Sequence, residues 1–210
     1  MARKPKEYPS ISLRAEDLDV KIDFVRIFGR CGPVHIEIGS GRGTFLINQA
    51  KALPDDNFLG IEWANKYYRH AVDRIGRWGL KNVRIIRTEA AGFIADFLPD
   101  NCVSCYHIYF PDPWPKRKHH KRRLLCPDNL QQLIRTLKTG GQIRIATDHA
   151  DYFEEIKQLT ATQNEKLEEV EFLPASGAEN EEKTGTNYER KFLKRGKNIY
   201  TLALRKTGSD

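Results

Sequence analysis

Short apolar runs alternate with longer amphipathic segments along most of the 210 residues, and this alternation constrains the fold more than any other feature. Strands are predicted at 34–38, 57–62, 83–87, 103–110, 142–147 and 197–206. Helices are predicted at 43–52, 64–78, 89–97, 127–137 and 149–163. This spacing predicts an α/β fold with a mostly parallel, doubly wound sheet. The C-terminal strand follows a basic turn rather than a helix, so we expect it to join the sheet antiparallel.

The chain before the first of these strands differs in composition. Residues 1–30 are predicted to form a basic N-terminal arm followed by a short helix near 18–28, and residues 31–210 a single domain. No apolar run approaches the roughly 20 residues that span a membrane, and the N-terminus lacks the apolar core of a signal peptide. We therefore expect a cytoplasmic protein with no membrane partner. Its four cysteines lack a second C-x-x-C pair, which predicts reduced thiols and no metal site.

A glycine turn, "EIGSGRG" at 37–43, lies between the strand at 34–38 and its following helix. Open α/β sheets bind nucleotides at this point, and Gly39, Gly41 and Gly43 allow close approach of a ligand to the backbone. A dinucleotide-binding fingerprint would need a glycine at 44, where the chain has threonine. The turn therefore disfavours a nicotinamide-dependent oxidoreductase.

Acidic residues lie at the ends of three successive predicted strands: Glu37 and Glu62 end the first two, and Glu89 follows the third. Glu37 would repel a pyrophosphate but suits an ammonium or sulfonium group, Glu62 suits ribose hydroxyls, and Glu89 suits an adenine amino group. The three acids together predict S-adenosyl-L-methionine as cofactor. We assign their neighbours Ser40, Trp63 and Ala90 to the same site. The alternative is a structural glycine turn with surface acids.

The predicted strand at 103–110 ends in "YFPDPWPK", where Pro111 and Pro113 restrict the backbone on both sides of Asp112. A rigid carboxylate at the carboxyl end of a strand is placed for catalysis beside the cofactor. The turn is related to the D/N-P-P-Y/F/W turn of base-amino methyltransferases, so an enzyme acting on a nucleobase amino group is an alternative.

Positive charge is concentrated in two blocks. Residues 111–123 hold six basic residues and one acid, and residues 183–206 hold eight and one, while 151–182 hold ten acids and two lysines. This distribution predicts a cationic face for a polyanion such as RNA. The alternatives are solvated surface charge and a non-catalytic RNA-binding protein.

Four segments together, "FPDPWPKRKHHKRR", "HIEIGSGRG", "ATD" and "TNYERKFLKRG", closely resemble the bacterial tRNA (guanine-N7-)-methyltransferase family. The resemblance covers residues 33–205 and implies a Rossmann-like class I methyltransferase. It implies methyl transfer from S-adenosyl-L-methionine to N7 of guanine 46 in the tRNA variable loop, by a monomer or homodimer.

The resemblance also implies roles for individual residues. Asp112 matches both a cofactor-contacting position and the proposed catalytic residue of the family. Glu89 stands where relatives usually have Asp. Substrate-contacting positions of the family match Lys116, Asp148, Thr186, Asn187, Tyr188 and Glu189. The basic run is predicted to bind tRNA phosphates through Arg117, Lys118, Lys121, Arg122 and Arg123.

Overall fold

The computed structural model describes residues 4–14, 16, 18 and 21–208. The chain divides into two compact units, residues 1–99 and 100–210. This division falls at a different point from the boundary predicted at residue 30.

The first unit is a parallel α/β layer. Its elements are β1 (Ser12–Leu13), α1 (Phe24–Phe28), β2 (Val34–Ile38), α2 (Thr44–Ala52), β3 (Asn57–Ile61), α3 (Asn65–Arg77), β4 (Val83–Ile86) and α4 (Ala90–Phe97). The strand order is β1-β4-β3-β2, and every pair in it is parallel. The helix predicted near 18–28 is only the five residues of α1, and residues 19 and 20 lie outside the described part of the chain.

Burial of apolar strand residues against α2 and α3 builds the core of this unit. Phe58 and Ile85 are fully buried and pack with Leu46 of α2 and Ile75 of α3. Removing each such side chain from water contributes roughly 1.5–3 kcal/mol. Gly60 is required in β3, because a Cβ there would come within 2.5 Å of Leu46 Cδ1. Close packing in this core therefore places α2 directly on the sheet and positions the loop at 39–43 that precedes it.

The second unit carries the predicted antiparallel strand. Its elements are β5 (Val103–Tyr109), a 3₁₀ helix (Arg117–Arg122), α5 (Pro127–Thr136), β6 (Leu137–Thr147), α6 (Ala150–Ala161), β7 (Leu167–Val170), α7 (Asn187–Leu193) and β8 (Tyr200–Lys206). The strand order is β5-β6-β8-β7. β5 and β6 are parallel, whereas β8 runs antiparallel to both β6 and β7.

The sequence missed parts of this unit. β6 begins five residues before its predicted start, and Gly141 within it could not carry a Cβ, which would lie 2.9 Å from the carbonyl oxygens of Ser104 and Lys138. Neither β7 nor α7 was predicted. Among the described residues, no helix has the length and apolar character needed to cross a membrane.

Candidate functional site

The turn after β2 is held in a conformation that only glycine adopts readily. Gly39, Gly41 and Gly43 have φ of 79°, 54° and 69°, in the left-handed region. The Gly39 amide donates to the carbonyl of Ile61, 2.8 Å away, so the turn is fastened to the end of β3. A Cβ at Gly39 would meet nothing within 4 Å. The turn therefore presents open backbone to a ligand.

Glu37, the penultimate residue of β2, carries a carboxylate oxygen without a hydrogen-bond partner among the described residues. The residue is 5% exposed, and its Oε2 and the Ser40 Oγ are buried without a hydrogen-bond partner in the described part of the chain. Burial, and secondarily the neighbouring Glu62 carboxylate, raise the pKa of Glu37 well above its usual range. An orphaned acid and hydroxyl of this kind lack a donor, and a cationic ligand would supply one.

Glu62 organises the turn through both of its oxygens. The Gly41 amide donates to Oε2 over 2.8 Å, and the Ala64 amide donates to Oε1 over 2.7 Å. The carboxylate thus links the glycine turn to the start of α3 while keeping further lone pairs for ribose hydroxyls. Trp63, which lies between Glu62 and Ala64 in the sequence, is 67% exposed.

Glu89 caps α4. Its Oε1 accepts from the Ala91 amide at 2.9 Å and its Oε2 from the Gly92 amide at 2.8 Å, and Ala90 is the first helical residue. An acid at this position also interacts favourably with the helix dipole. The cap fixes the carboxylate in place, and its remaining lone pairs can accept from an adenine amino group.

Together these residues fit S-adenosyl-L-methionine. The cofactor bears a sulfonium, an ammonium, ribose hydroxyls and an adenine amino group, all cations or donors. The first unit offers the matching acceptors: the orphaned Glu37, the fixed Glu62 and Glu89, and an open glycine turn.

Asp112 is exposed at the centre of a strained turn that follows β5. Phe110 and Trp114, one on each side of the P-D-P tripeptide, have φ of 54° and 42°. Bulky residues seldom adopt this left-handed conformation, and it costs roughly 1–2 kcal/mol per residue. The two prolines and the two strained residues together restrict the backbone at Asp112.

Arg123 is the last residue of the run predicted to bind phosphates. It is 5% exposed, and its Nε donates to the Pro113 carbonyl at 2.7 Å. The guanidinium also forms an ion pair with Glu155 and lies over the Tyr152 ring, 4.6 Å from its centroid. The side chain is thus enclosed and bonded to the Asp112 turn and to Glu155, unlike the exposed cations with which the sequence grouped it.

The other basic residues of the run are exposed on the 3₁₀ helix and just before it. Lys116 precedes this helix. The exposed cations within it are Arg117, Lys118, Lys121 and Arg122. Arg122 lies over the Trp114 ring at 5.1 Å, and His119 meets the same ring edge-on at 5.7 Å. Trp114 thus links the cationic helix to the Asp112 turn.

The segment at 186–189, predicted to contact substrate, contains both exposed and buried residues. Asn187 and Tyr188 are exposed, whereas Thr186 caps α7 through the Glu189 amide. Glu189 is 0% exposed. Its carboxylate accepts from the amides of Lys183, Thr184 and Gly185 and from the Thr184 hydroxyl. The carboxylate predicted to contact substrate is thus buried and bonded to the backbone of the loop before α7.

Tyr188 belongs to an aromatic cluster beside the strained turn. Its ring lies 6.3 Å from Phe110 and 6.2 Å from Phe192. Lys197 lies over Phe192 at 4.7 Å and forms an ion pair with Asp148. The sequence predicted that both Asp148 and Tyr188 contact substrate. In the structure they are connected through Lys197 and Phe192, two residues that the sequence analysis did not identify. The basic block at 183–206 was the one sequence signal that pointed toward Lys197.

Comparison with known proteins gives the family. A family model described as "Putative methyltransferase" matches residues 31–202. A tRNA (guanine-N(7)-)-methyltransferase of Alkalilimnicola ehrlichii is 34% identical over 199 residues, covering 95% of this chain and 83% of that protein. The protein of the same name from Aquifex aeolicus is 39% identical over 173 residues, covering 82% of this chain and 56% of that protein.

Solved structures give the fold. A SAM-dependent methyltransferase from Aquifex aeolicus aligns with a TM-score of 0.55 at 14% identity, covering 86% of each chain. A 30S ribosomal A1408 methyltransferase from an uncultured bacterium aligns with a TM-score of 0.61 at 16% identity, covering 89% of this chain and 95% of that one. The predicted Rossmann-like methyltransferase fold is confirmed. The family match over residues 31–202, and the 34% identity to a relative that is covered over 83% of its length, show that this chain belongs to the tRNA (guanine-N7-)-methyltransferase family.

Proposed function

We propose that this protein transfers a methyl group from S-adenosyl-L-methionine to N7 of guanine 46 in the variable loop of tRNA. The observation that carries the proposal is the buried, unpartnered carboxylate of Glu37 beside an open glycine turn, in a chain of this family. When bound, the cofactor supplies an electrophilic methyl group on a sulfonium.

The acids of the first unit would hold the cofactor. Glu37 and Ser40 would accept from its ammonium group, Glu62 from the ribose hydroxyls and Glu89 from the adenine amino group. Trp63 and Ala90 would flank these contacts. Each interaction satisfies an acceptor already fixed by the strand ends or by backbone amides, so binding requires little reorganisation.

Asp112 would orient the guanine. Guanine N7 carries a lone pair and no proton at neutral pH, so methylation there needs no general base. Catalysis is then mainly alignment of the lone pair with the methyl group, which can lower the barrier by roughly 7–11 kcal/mol. We propose that Asp112 accepts from N1–H and the amino group of the base and stabilises the positive charge that develops on the purine.

Cations and aromatic rings of the second unit would deliver the tRNA. Lys116 and the four exposed cations of the 3₁₀ helix would bind phosphates near the base. Tyr188 would stack on an exposed base, supported by Phe192 behind it. Asp148 and Asn187 would contact the nucleotide through hydrogen bonds.

Methyl transfer to unmodified tRNA, followed by borohydride reduction and aniline treatment, tests the reaction, because reduction labilises N7-methylated guanine and aniline then cuts the chain at the resulting abasic site. We expect a single cut at position 46. Methylation that leaves the tRNA resistant to aniline would instead support an amino methyltransferase. Tight tRNA binding with no S-adenosyl-L-methionine binding would support the non-catalytic RNA-binding protein.

Replacement of the exposed carboxylate tests the role of Asp112. We expect Asp112→Asn to lower kcat about 10²–10³-fold while the Kd for S-adenosyl-L-methionine stays close to wild type. The exposed Asp128 of α5 provides a matched control, since Asp128→Asn removes the same charge from the same unit. Turnover of Asp112→Asn near that of the wild type would remove Asp112 from the mechanism.

A further inference from the structure

Helix α3 carries a block of positive charge that the proposed site does not use. Between residues 63 and 88 the chain has seven basic residues and a single acid, Asp73. The helix buries Ala71, Val72 and Ile75 in the core and also buries Asp73, whereas none of its Lys and Arg residues is buried. Residues 66, 69, 73 and 77 repeat at helical spacing and form one stripe along it.

The only acid of the stripe is neutralised within the protein. Asp73 is 6% exposed, and it forms an ion pair with Arg77 at 2.9 Å and accepts from the Lys6 amide at 3.0 Å. Lys66 and Arg69 are exposed, and neither pairs with an acid in the part of the chain that the structure describes. The outward charge of the stripe is therefore cationic.

The N-terminal segment adds to this charge because it is docked on the same helix. The Tyr8 ring packs on Gly76, where a Cβ would come within 2.2 Å of it. Glycine within a helix costs about 1 kcal/mol relative to alanine, and here it makes room for Tyr8. The hydrogen bond from the Lys6 backbone amide to Asp73 places the exposed Lys6 side chain beside the stripe.

An exposed indole lies at the end of the stripe. Trp78, which follows the last residue of α3, is 58% exposed, with the Lys51 ammonium 3.0 Å from its ring centroid. Arg74, Arg77 and Trp78 line an open pocket of about 300 Å³. Exposed aromatic rings interleaved with Lys and Arg are the combination that binds nucleic acids, the rings stacking on bases and the cations neutralising phosphates.

We propose that Lys66, Arg69 and Arg77 of α3, together with Lys6, Lys51 and Trp78, form a second RNA-binding surface for the tRNA. We name it the α3 surface. The inference rests on the proposed function, since tRNA is the polyanion that the protein must hold. The helix is about 20 Å long, enough to contact several nucleotides.

The salt dependence of tRNA binding tests the α3 surface. The double variant Lys66→Gln/Arg69→Gln removes two cations, and Lys138→Gln/Lys166→Gln removes two exposed cations of the second unit as its control. Each lost phosphate contact should reduce the log–log slope of affinity against salt by about 0.7–0.9, so we expect a reduction of about 1.4–1.8 in the first variant. Its KM for tRNA should rise about tenfold, more than kcat falls, while the control keeps the wild-type slope.

The indole gives a second measurement. We expect Trp78→Ala to weaken tRNA binding at least fivefold with the salt slope unchanged, Trp78→Phe to retain most of the affinity, and neither to alter the Kd for S-adenosyl-L-methionine. A wild-type slope in Lys66→Gln/Arg69→Gln, in protein that still methylates tRNA, would overturn the α3 surface and leave the proposed function standing. Wild-type protein that does not bind tRNA would remove both.

Discussion

At the scale of single residues, the buried carboxylate of Glu37 connects ligand binding to stability. Burial, and then Glu62, raise its pKa well above the usual range, while the unfolded chain ionises it near its ordinary value. The protonated form therefore stabilises the ligand-free fold fully below the unfolded pKa. That contribution is lost as pH rises through the folded pKa. A cation bound beside Glu37 would favour the charged form and reverse the penalty.

Thermal unfolding of Glu37→Gln measures this penalty. Without ligand, we expect the variant to melt above the wild type at pH 8, by about 2–4 °C for each kcal/mol of penalty removed, and the difference to vanish near pH 4.5. S-adenosyl-L-methionine should raise the Tm of the wild type more than that of the variant. Equal Tm values across this pH range would show that Glu37 is not destabilised by its burial.

We infer that Arg123 positions Asp112, because its buried guanidinium donates to the carbonyl of the adjacent Pro113 and is not exposed to phosphate. We expect Arg123→Met to lower kcat about tenfold or more with little change in the Kd for tRNA or in its salt slope. Arg123→Lys should recover part of the rate through a bond to the Pro113 carbonyl. A loss of salt slope equal to that of Arg122→Gln would instead identify Arg123 as a phosphate contact.

At the scale of elements, the loop before α7 has no regular secondary structure, and three of its backbone amides are bonded by one buried carboxylate, that of Glu189. Glu189 gathers three backbone amides and a hydroxyl within 2.6–2.8 Å, and Arg190 fastens the same loop to Glu182 and to the Gly177 carbonyl. The exposed side chains of Asn187 and Tyr188 are presented by this scaffold. The position of these two exposed side chains, which we propose contact the substrate, therefore depends on the buried Glu189.

Neutralising that carboxylate should loosen the loop. Hydrogen bonds to a charged group contribute about 1.5–3 kcal/mol, so we expect Glu189→Gln to lower the free energy of unfolding by about that amount in urea titrations. Cleavage by protease within residues 174–186 should also become faster. The exposed neighbour Glu181 gives the control, because Glu181→Gln removes the same charge without a buried bond. Equal stability of the two variants would contradict this role for Glu189.

Elements with strong periodicity were predicted closely, and those without it were not. β2 and the start of α5 lie where the apolar pattern and the Pro-Asp start signal predicted them. β7 was missed because "LEEV" is half acidic and largely exposed, and the 3₁₀ helix was missed because an unbroken run of charges has no periodicity. The acids at the strand ends were predictable from position alone. The burial of Arg123 was not, since nothing in a run of six cations distinguishes the one that folds inward.

At the scale of the whole molecule, the cysteines report on opening of the fold. Cys31 is exposed, whereas burial raises the pKa of Cys102 to about 11 and that of Cys105 to about 12. A thiol must ionise to react, so neither Cys102 nor Cys105 should react quickly at pH 8. We expect rapid alkylation at Cys31 and modification of Cys105 only at the rate of global unfolding, as read by mass spectrometry over time. Fast native modification of Cys105 would show that the second unit opens locally.

The left-handed Phe110 and Trp114 have a consequence for any attempt to make this protein more heat-tolerant. Glycine at either position would relieve strain of roughly 1–2 kcal/mol, although the loss of the ring contacts and the greater freedom of the unfolded chain would offset part of this gain. The same exchange would widen the range of directions open to the Asp112 side chain and discard the indole that Arg122 covers. Heat tolerance gained at this turn would thus come at the expense of turnover. At these two positions, selection for a higher melting temperature and selection for a higher kcat would favour different residues.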